Sequence, residues 1–234
     1  MRVIVVICFL LLPGCNKDKV RSTRVNLRVI NASPNSSAIS FLQNLNTLGS
    51  FNYVTGINPS LPFLVIDSGF NNYKLRTGSN EIASWLFSNT GYNASFFICD
   101  SAVSARVKYF FLKDNLDTTG LGRQSKIRLV QLSPDLDSVE LVTTRPSNPA
   151  SDSPLVSRSY FGKFTQAGVL GASDFQNFYG DTTVTIKIRR RINSSIARTY
   201  QFRFGKGKIY TMVVKGYDAR SGKDSLSLSI ITHN

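Results

Sequence analysis

An all-β protein built from two tandem antiparallel sandwiches is the fold class this sequence predicts. Three observations carry the prediction. The residue types favour strands joined by turns, short runs alternate apolar with polar side chains, and the pattern of the first half returns in the second at an offset of one hundred residues. Gly, Ser, Thr and Asn are abundant, Ala and Glu are sparse, and aromatics are plentiful, a balance that disfavours helices.

The N-terminus comes first. Met1-Arg2 is a short cationic start, and residues 3–12 are an unbroken apolar run. Ten apolar residues are too few to cross a bilayer as a helix but suit the core of a secretory signal. Leu12-Pro13-Gly14-Cys15 then resembles the lipobox of bacterial lipoproteins. That resemblance implies a signal peptide over 1–14, cleavage after Gly14, and diacylglyceryl and palmitate chains on Cys15. Residues 15–24 read as the acylated cysteine and a polar tether. Such a segment reaches at most about 30 Å, which holds the first folded unit near the membrane. Lys17-Asp18 is similar to part of the export signal of Bacteroidetes-type lipoproteins. It implies an outer-membrane location, periplasmic or surface-exposed.

About 220 residues follow the signal, enough for one large domain or two small ones. The run from Leu27 to Phe41 aligns without gaps on Ile127 to Leu141, sharing Arg, Ser and Pro and matching nearly every apolar position. Each copy reads as strand, Ser-Pro turn, strand, because Pro cannot donate to a ladder and pushes the preceding Ser out of the helical region. Farther on, the run from Phe63 parallels the run from Phe175. Gly91 to Phe97 parallels Gly207 to Val213, and Val107 to Phe111 parallels Leu226 to Ile230. Val184, Ile186 and Ile188 alternate with Thr185, Lys187 and Arg189, as strands do when one face meets a core and the other water. Two sandwiches of roughly seven strands are expected, over 25–115 and 125–234, with a linker at 116–124. Residues 143–157, rich in Pro and Ser, read as an extra loop of the second copy, a place where binding specificity is often carried.

The Arg-x-x-Asn-x-Ser-Pro opening at Arg28, the Gly-x-Tyr-like strand entry, Gly91-Tyr92-Asn93 here, and the Gly-Lys-x-Tyr-Thr run at Gly207 resemble domain of unknown function 4397. This family implies tandem immunoglobulin- or transthyretin-like sandwiches in exported bacterial proteins, often lipoproteins. Its motifs are structural and name no catalytic residue.

Candidate chemistry is sparse. His233, the only histidine, lies next to a C-terminus that is expected to fray, so no His-based nucleophile or metal set can be assembled. Asp100, Asp114, Asp117, Asp181 and Asp218 fall at predicted turns. Asp135, Asp137 and Glu140 form the one acidic cluster with calcium-like spacing, and local backbone capping is the favoured explanation for it. No metal, cofactor or enzymatic activity is expected. Cys99, inside Ser95-Phe96-Phe97-Ile98-Cys99, reads as a small buried hydrophobe. Tyr53, Trp85, Tyr160, Phe161, Phe178 and Tyr179 could stack on sugars, although core packing is the commoner use of such rings. Five Asp-Ser or Asp-Thr pairs, beginning at Asp100, Asp117, Asp137, Asp181 and Asp224, resemble acceptors of O-glycosylation in Bacteroidetes-type proteins.

The net charge is +14, and 17 of the 28 basic residues lie at or beyond Arg123, against eight acids there. Lys187, Arg189, Arg190, Arg191, Arg198 and Arg203 are the candidate site for an anionic ligand. On an envelope-tethered protein the partner is expected to be a glycan, lipopolysaccharide, another anionic envelope component or a protein, and not nucleic acid. A non-enzymatic binding module of the envelope is therefore the leading expectation. A spacer or assembly subunit and a carboxylate-based polysaccharide hydrolase are the alternatives.

Overall fold

The structure is a computed structural model that describes residues 24–89, 91–100, 107–136, 138–145, 148–160, 169–170 and 175–234. Cys15, the signal segment and residues 16–23 of the tether lie outside the described residues. Eight strands build the first unit: β1 (Arg24–Asn31), β2 (Ile39–Gln43), β3 (Asn46–Phe51), β4 (Phe63–Asp67), β5 (Gly69–Thr77), β6 (Asn80–Asn89), β7 (Ala94–Cys99) and β8 (Lys108–Lys113). They form two sheets, ordered β4-β1-β7-β8 and β3-β2-β5-β6.

The second unit begins with β9 (Gln124–Gln131), β10 (Ser138–Arg145) and β11 (Asn148–Tyr160). After β12 (Val169–Leu170) it continues through β13 (Gln176–Tyr179), β14 (Thr182–Arg190), β15 (Ile196–Phe204), β16 (Ile209–Lys215) and β17 (Ser227–Thr232). Its sheets, β13-β9-β16-β17 and β11-β10-β14-β15, repeat both orders of the first unit.

Leaving aside β12, which joins the first unit's sheet beside β8, each sandwich has eight strands, close to the roughly seven expected. In each, the first strand pairs with the fourth and, in parallel, with the seventh, but not with the second. The immunoglobulin order places strand A beside B. These units therefore depart from the immunoglobulin order within the sandwich architecture.

The internal repeat holds to the residue. β1 and β9 start at Arg24 and Gln124, one hundred residues apart. Arg28 faces Ser95 across the parallel pair as Arg128 faces Thr211. β5 and β14 show the same alternation of buried and exposed positions. The second copy replaces Asn31 by Gln131, yet the bond is kept: Ser33 N–H donates to Asn31 Oδ1 at 3.1 Å, and Ser133 N–H to Gln131 Oε1 at 3.0 Å.

Each sandwich has its own core. In the first, Phe41, Tyr73, Trp85, Phe96 and Phe111 pack together, with Trp85 stacked 4.1 Å from the Tyr109 ring centroid. In the second, Ile127, Leu141, Val184, Ile186, Phe204 and Met212 are among the central residues. A third apolar layer lies between the units. Ile30, Ala32, Phe97, Phe110 and Leu112 meet Val130, Leu132, Val213 and Ile231, so the β1 sheet packs against the β9 sheet. Burial of such a side chain contributes about 1.5–3 kcal/mol, which makes this contact an integral core.

Each unit also straps the other. β12, reached from the second unit, pairs in parallel with β8, setting Val169 against Phe111. From the first unit, the chain after β3 runs along β17, where Ile230 N–H donates to Ile57 O and Ser229 Oγ donates to Gly56 O at 2.7 Å. Ladder groups on both outer strands are thereby met from the opposite sandwich, the usual remedy for an open sheet edge.

Two expectations change. The described residues of 143–157 are strand and not loop, because β10 runs to Arg145 and β11 pairs back along it, with Pro154 opposite Val142. β11 is an edge strand, where a proline can leave its missing N–H on the unpaired side. The C-terminus does not fray: His233 N–H donates to Ile209 O at 2.9 Å and the residue is only 5% exposed.

Cys99 is buried as expected, and burial pushes its thiol up to about 12. A maleimide at pH 8 is expected to modify it about 10²-fold more slowly in the folded protein than in urea, where labelling completes. Equal rates in the two states would refute this placement.

Candidate functional site

The two halves meet at a buried polar cluster, and the repeat explains its composition. Each copy contributes an arginine from its first strand, a hydroxyl from its seventh, and an ionisable group just beyond its last: Arg28, Ser95 and Asp114, then Arg128, Thr211 and His233. Arg128 Nη2 donates to Asp114 Oδ1 at 2.6 Å and to Ser95 Oγ at 3.2 Å, and its Nε donates to Thr211 Oγ1 at 2.6 Å. Ser95 Oγ donates to the other Asp114 oxygen at 2.8 Å. Arg28 Nη1 donates to Thr232 O at 2.6 Å. Both guanidinium groups lie over the rings of equivalent phenylalanines, Arg28 over Phe63 at 4.0 Å and Arg128 over Phe175 at 4.6 Å.

Thr211, His233 and Asp114 look like a hydrolytic triad. The Thr211 hydroxyl is 2.7 Å from His233 Nε2, and His233 Nδ1 is 3.9 Å from Asp114 Oδ2. Thr211 accepts from Arg128, which leaves its own proton for Nε2 and puts the imidazole proton on Nδ1, towards the carboxylate. A nucleophile must reach its substrate, however, and Thr211 is 0% exposed in the middle of β16. Burial, followed by repulsion from Arg128 and Arg28, holds the imidazole well below the usual histidine range. Burial also lowers Arg28 to about 10, opposed by Asp114 and assisted by Arg128. These groups join the sandwiches and are sealed from solvent.

The six predicted basic residues do not form one patch. Lys187 and Arg189 sit on the outward face of β14, and Arg203 is opposite Thr183 on the same face of that sheet. Thr185, Thr199 and Gln201 share this face. Arg189 Nε donates to Glu140 Oε2 at 3.0 Å, and Arg203 is 3.9 Å from Asp181. Arg190 lies at the strand end in a fork with Asp218, both contacts at 2.6 Å, and donates to Ser195 at 2.9 Å. That pairing raises its pKa further. Arg191 is exposed in the turn, and Arg198 is opposite Ile188 at a core-facing register position at the sheet's end. Sequence proximity could not separate these residues, because period-2 alternation and the β14–β15 irregularity assign them to different faces.

The acidic and aromatic candidates also disperse. Asp135 accepts Ser133 Oγ–H locally at 3.0 Å, but the backbone donors it satisfies, the Asp218 and Ala219 N–H groups at 2.9 and 3.1 Å, come from a distant segment and not from its own turn as expected. Burial would raise its carboxyl, but those donors draw it below the ordinary range. Glu140 is taken by Arg189, Asp137 lies outside the described residues, and no cluster that could hold a metal occurs among the described residues. Trp85 belongs to the first core and Phe178 packs against Phe204 in the second. Tyr179 is exposed, Phe161 lies outside the described residues, and no joint sugar platform forms from the rings the structure describes.

One group was missed in the sequence. Lys215, at the end of β16, is 1% exposed, with Nζ 2.8 Å from Ser227 Oγ and 4.8 Å from the Tyr53 ring centre. Burial lowers its ammonium to about 8. Its repeat equivalent is the apolar Cys99, and the apolar context of Thr211-Met212-Val213-Val214 was the only available signal. No protein-family model matches the chain, and none of the curated proteins compared with it is similar.

Proposed function

We propose that this protein is a non-enzymatic lipoprotein of the bacterial outer membrane, anchored through an acylated Cys15, whose second sandwich offers a binding surface for anionic envelope glycans. One observation carries the binding part. Lys187, Arg189 and Arg203 share an outward sheet face with Thr185, Thr199 and Gln201, a lattice of cationic and hydroxyl groups suited to sulfated, phosphorylated or carboxylated sugars. The triad-like groups, by contrast, are sealed between the units. The anchor and the relationship to domain of unknown function 4397 rest on sequence motifs and belong to the same proposal.

The test is binding to a panel of acidic glycans and lipopolysaccharide over a salt series. Lys187→Glu with Arg203→Glu is expected to weaken a specific ligand about tenfold or more, with residual binding at 0.3 M salt. Arg190→Gln, which breaks the fork with Asp218, is expected to lower stability while leaving affinity unchanged. Binding indifferent to the double variant would sink the assignment. A rigid spacer is the second reading, favoured by the reciprocal straps and the apolar layer between the units. It predicts no glycan affinity and a single unfolding transition for both sandwiches.

A further inference from the structure

The two sandwiches run side by side with like ends together. Arg28 meets Thr232 and Asp114 meets Arg128 at the end where β1 begins, while Tyr53 meets Lys215, and Asn35 meets Asp224, towards the other. The tether joins the first of these ends, since Arg24 opens β1 opposite Asp67, the last residue of β4.

Exposed apolar side chains gather at that same end. Leu45 is 72% exposed, Phe70 71%, Leu86 62% and Val65 56%, four of the seven large exposed hydrophobics among the described residues. Their proximity follows from the ladder. Phe70 opposes Ser88 and Asn72 opposes Leu86, making Phe70 and Leu86 diagonal neighbours on the outward face of β5 and β6. Asn44 holds the Leu45 turn beside them, donating to Asn72 O at 2.8 Å and accepting Asn72 N–H at 2.9 Å. Asn71 Nδ2 donates to Asp67 O at 3.0 Å, which joins this group to the strand end facing Arg24.

Cations occupy the same end of the molecule. Arg24, Lys113, Arg123, Lys206 and Lys208 are exposed at the tether end of the two units, against Asp67, Asp117 and Asp181. Gly207 N–H donates to Gln124 O and Gly180 N–H to Arg123 O, which places the second unit's share beside the start of β9. Exposed leucine and phenylalanine together with exposed cations at one end is the composition of a surface that seats at the headgroup level of an anionic membrane.

We infer that the tether end is a membrane-docking surface, with Leu45, Phe70 and Leu86 entering the interfacial layer and the cations meeting lipid phosphates. The inference rests on the anchor proposed above. A chain leaving Arg24 and acylated at Cys15 has a reach of about 30 Å, short enough to hold this end against the bilayer. The anchor fixes the protein to the membrane, and the surface fixes its orientation.

The test uses the full chain produced in an envelope-exporting bacterium and reconstituted in phosphatidylglycerol–phosphatidylethanolamine vesicles. Spin labels go on Leu45→Cys, Phe70→Cys or, as the control on the β14–β15 turn, Ile192→Cys, where the native residue is 86% exposed. Cys99 is buried and an acylated Cys15 has no thiol, so neither competes for the label; a preparation that proves unacylated is labelled again on a Cys15→Ser background. Collision with aqueous nickel is expected to be about fivefold lower at 45 and 70 than at 192, and collision with oxygen higher. Intact mass of the same preparation reports acylation independently. An acylated protein with labels at 45 and 70 as wet as at 192 overturns the docking surface and keeps the anchor. An unacylated protein whose labels at 45 and 70 are still sheltered overturns the anchor and keeps the surface, and an unacylated protein that does not bind vesicles overturns both.

Discussion

Asp114→Ala is expected to cost the fold about 3–5 kcal/mol, because it strips a buried guanidinium of its counter-charge while leaving that charge buried. Arg128 has 3% side-chain exposure and Asp114 0%, so neither group can turn to water. Arg28, lowered to about 10 chiefly by burial, is supported by the same carboxylate. Adding Arg128→Met to Asp114→Ala removes the stranded charge and is expected to restore about 2 kcal/mol, since apolar replacement of a buried pair is often near neutral. Urea unfolding of the three proteins checks this. An Asp114→Ala protein within 1 kcal/mol of wild type, on the ~1 kcal/mol scale of exposed pairs, would refute a buried lock. The same cluster makes the fold sensitive to acid. His233 has a folded pKa below its unfolded value, so the unfolded chain binds the extra proton first. Its contribution is complete above an unfolded pKa of about 6.5 and declines as pH falls towards the folded value.

Lys215→Met is expected to stabilise the protein at pH 7 by about 2–3 kcal/mol, the opposite sign to most core substitutions. Lys215 reaches Ser227 and the Tyr53 ring, but no carboxylate is among the causes that set its pKa, and burial alone lowers it to about 8. At pH 7 the folded state must carry an ammonium in a site that disfavours it. Methionine keeps the length and flexibility of the chain without the charge. The sign with pH follows from linkage. Between about 8 and 10 the unfolded lysine holds a proton that the folded one has lost, so the lysine's own contribution to wild-type stability is expected to rise across this window. In the methionine variant that rise disappears. Cys99, its thiol pushed up to about 12, acts in the opposite direction above its ordinary value of about 9, and Tyr53 and Tyr73, both pushed up to about 12 mainly by burial, join it above pH 10, so the lysine is read from the difference between wild type and variant. Equal pH profiles for wild type and variant would refute a strained lysine.

The repeat was legible because each copy must solve the same local problem: an apolar face for its own core, a Ser-Pro break, and a glycine turn. Arg28 and Arg128, Phe63 and Phe175, and Gly91 and Gly207 could be paired from the residue pattern around them. β3 and β6 were not read in advance. β6 mixes an outward Leu86 with an inward Trp85, which blurs its alternation. The Pro- and Ser-rich β11 looked like a loop because the ladder that holds it belongs to β10. His233 looked free because its partners, Thr211 and Asp114, are supplied by a neighbouring strand and the opposite sandwich.

By itself, the amino-acid sequence determined the all-β class, the duplication, the burial of Cys99 and the excess of positive charge. Each of these depends on residue type and short-range period. Tertiary structure alone decided that the duplicated arginines face one another across a sealed contact, that the basic run divides between faces, and that one lysine lies almost out of water. The reason is physical: pairing register and the docking of one sheet upon another set which side chains share a dielectric, and neither is encoded within a single strand.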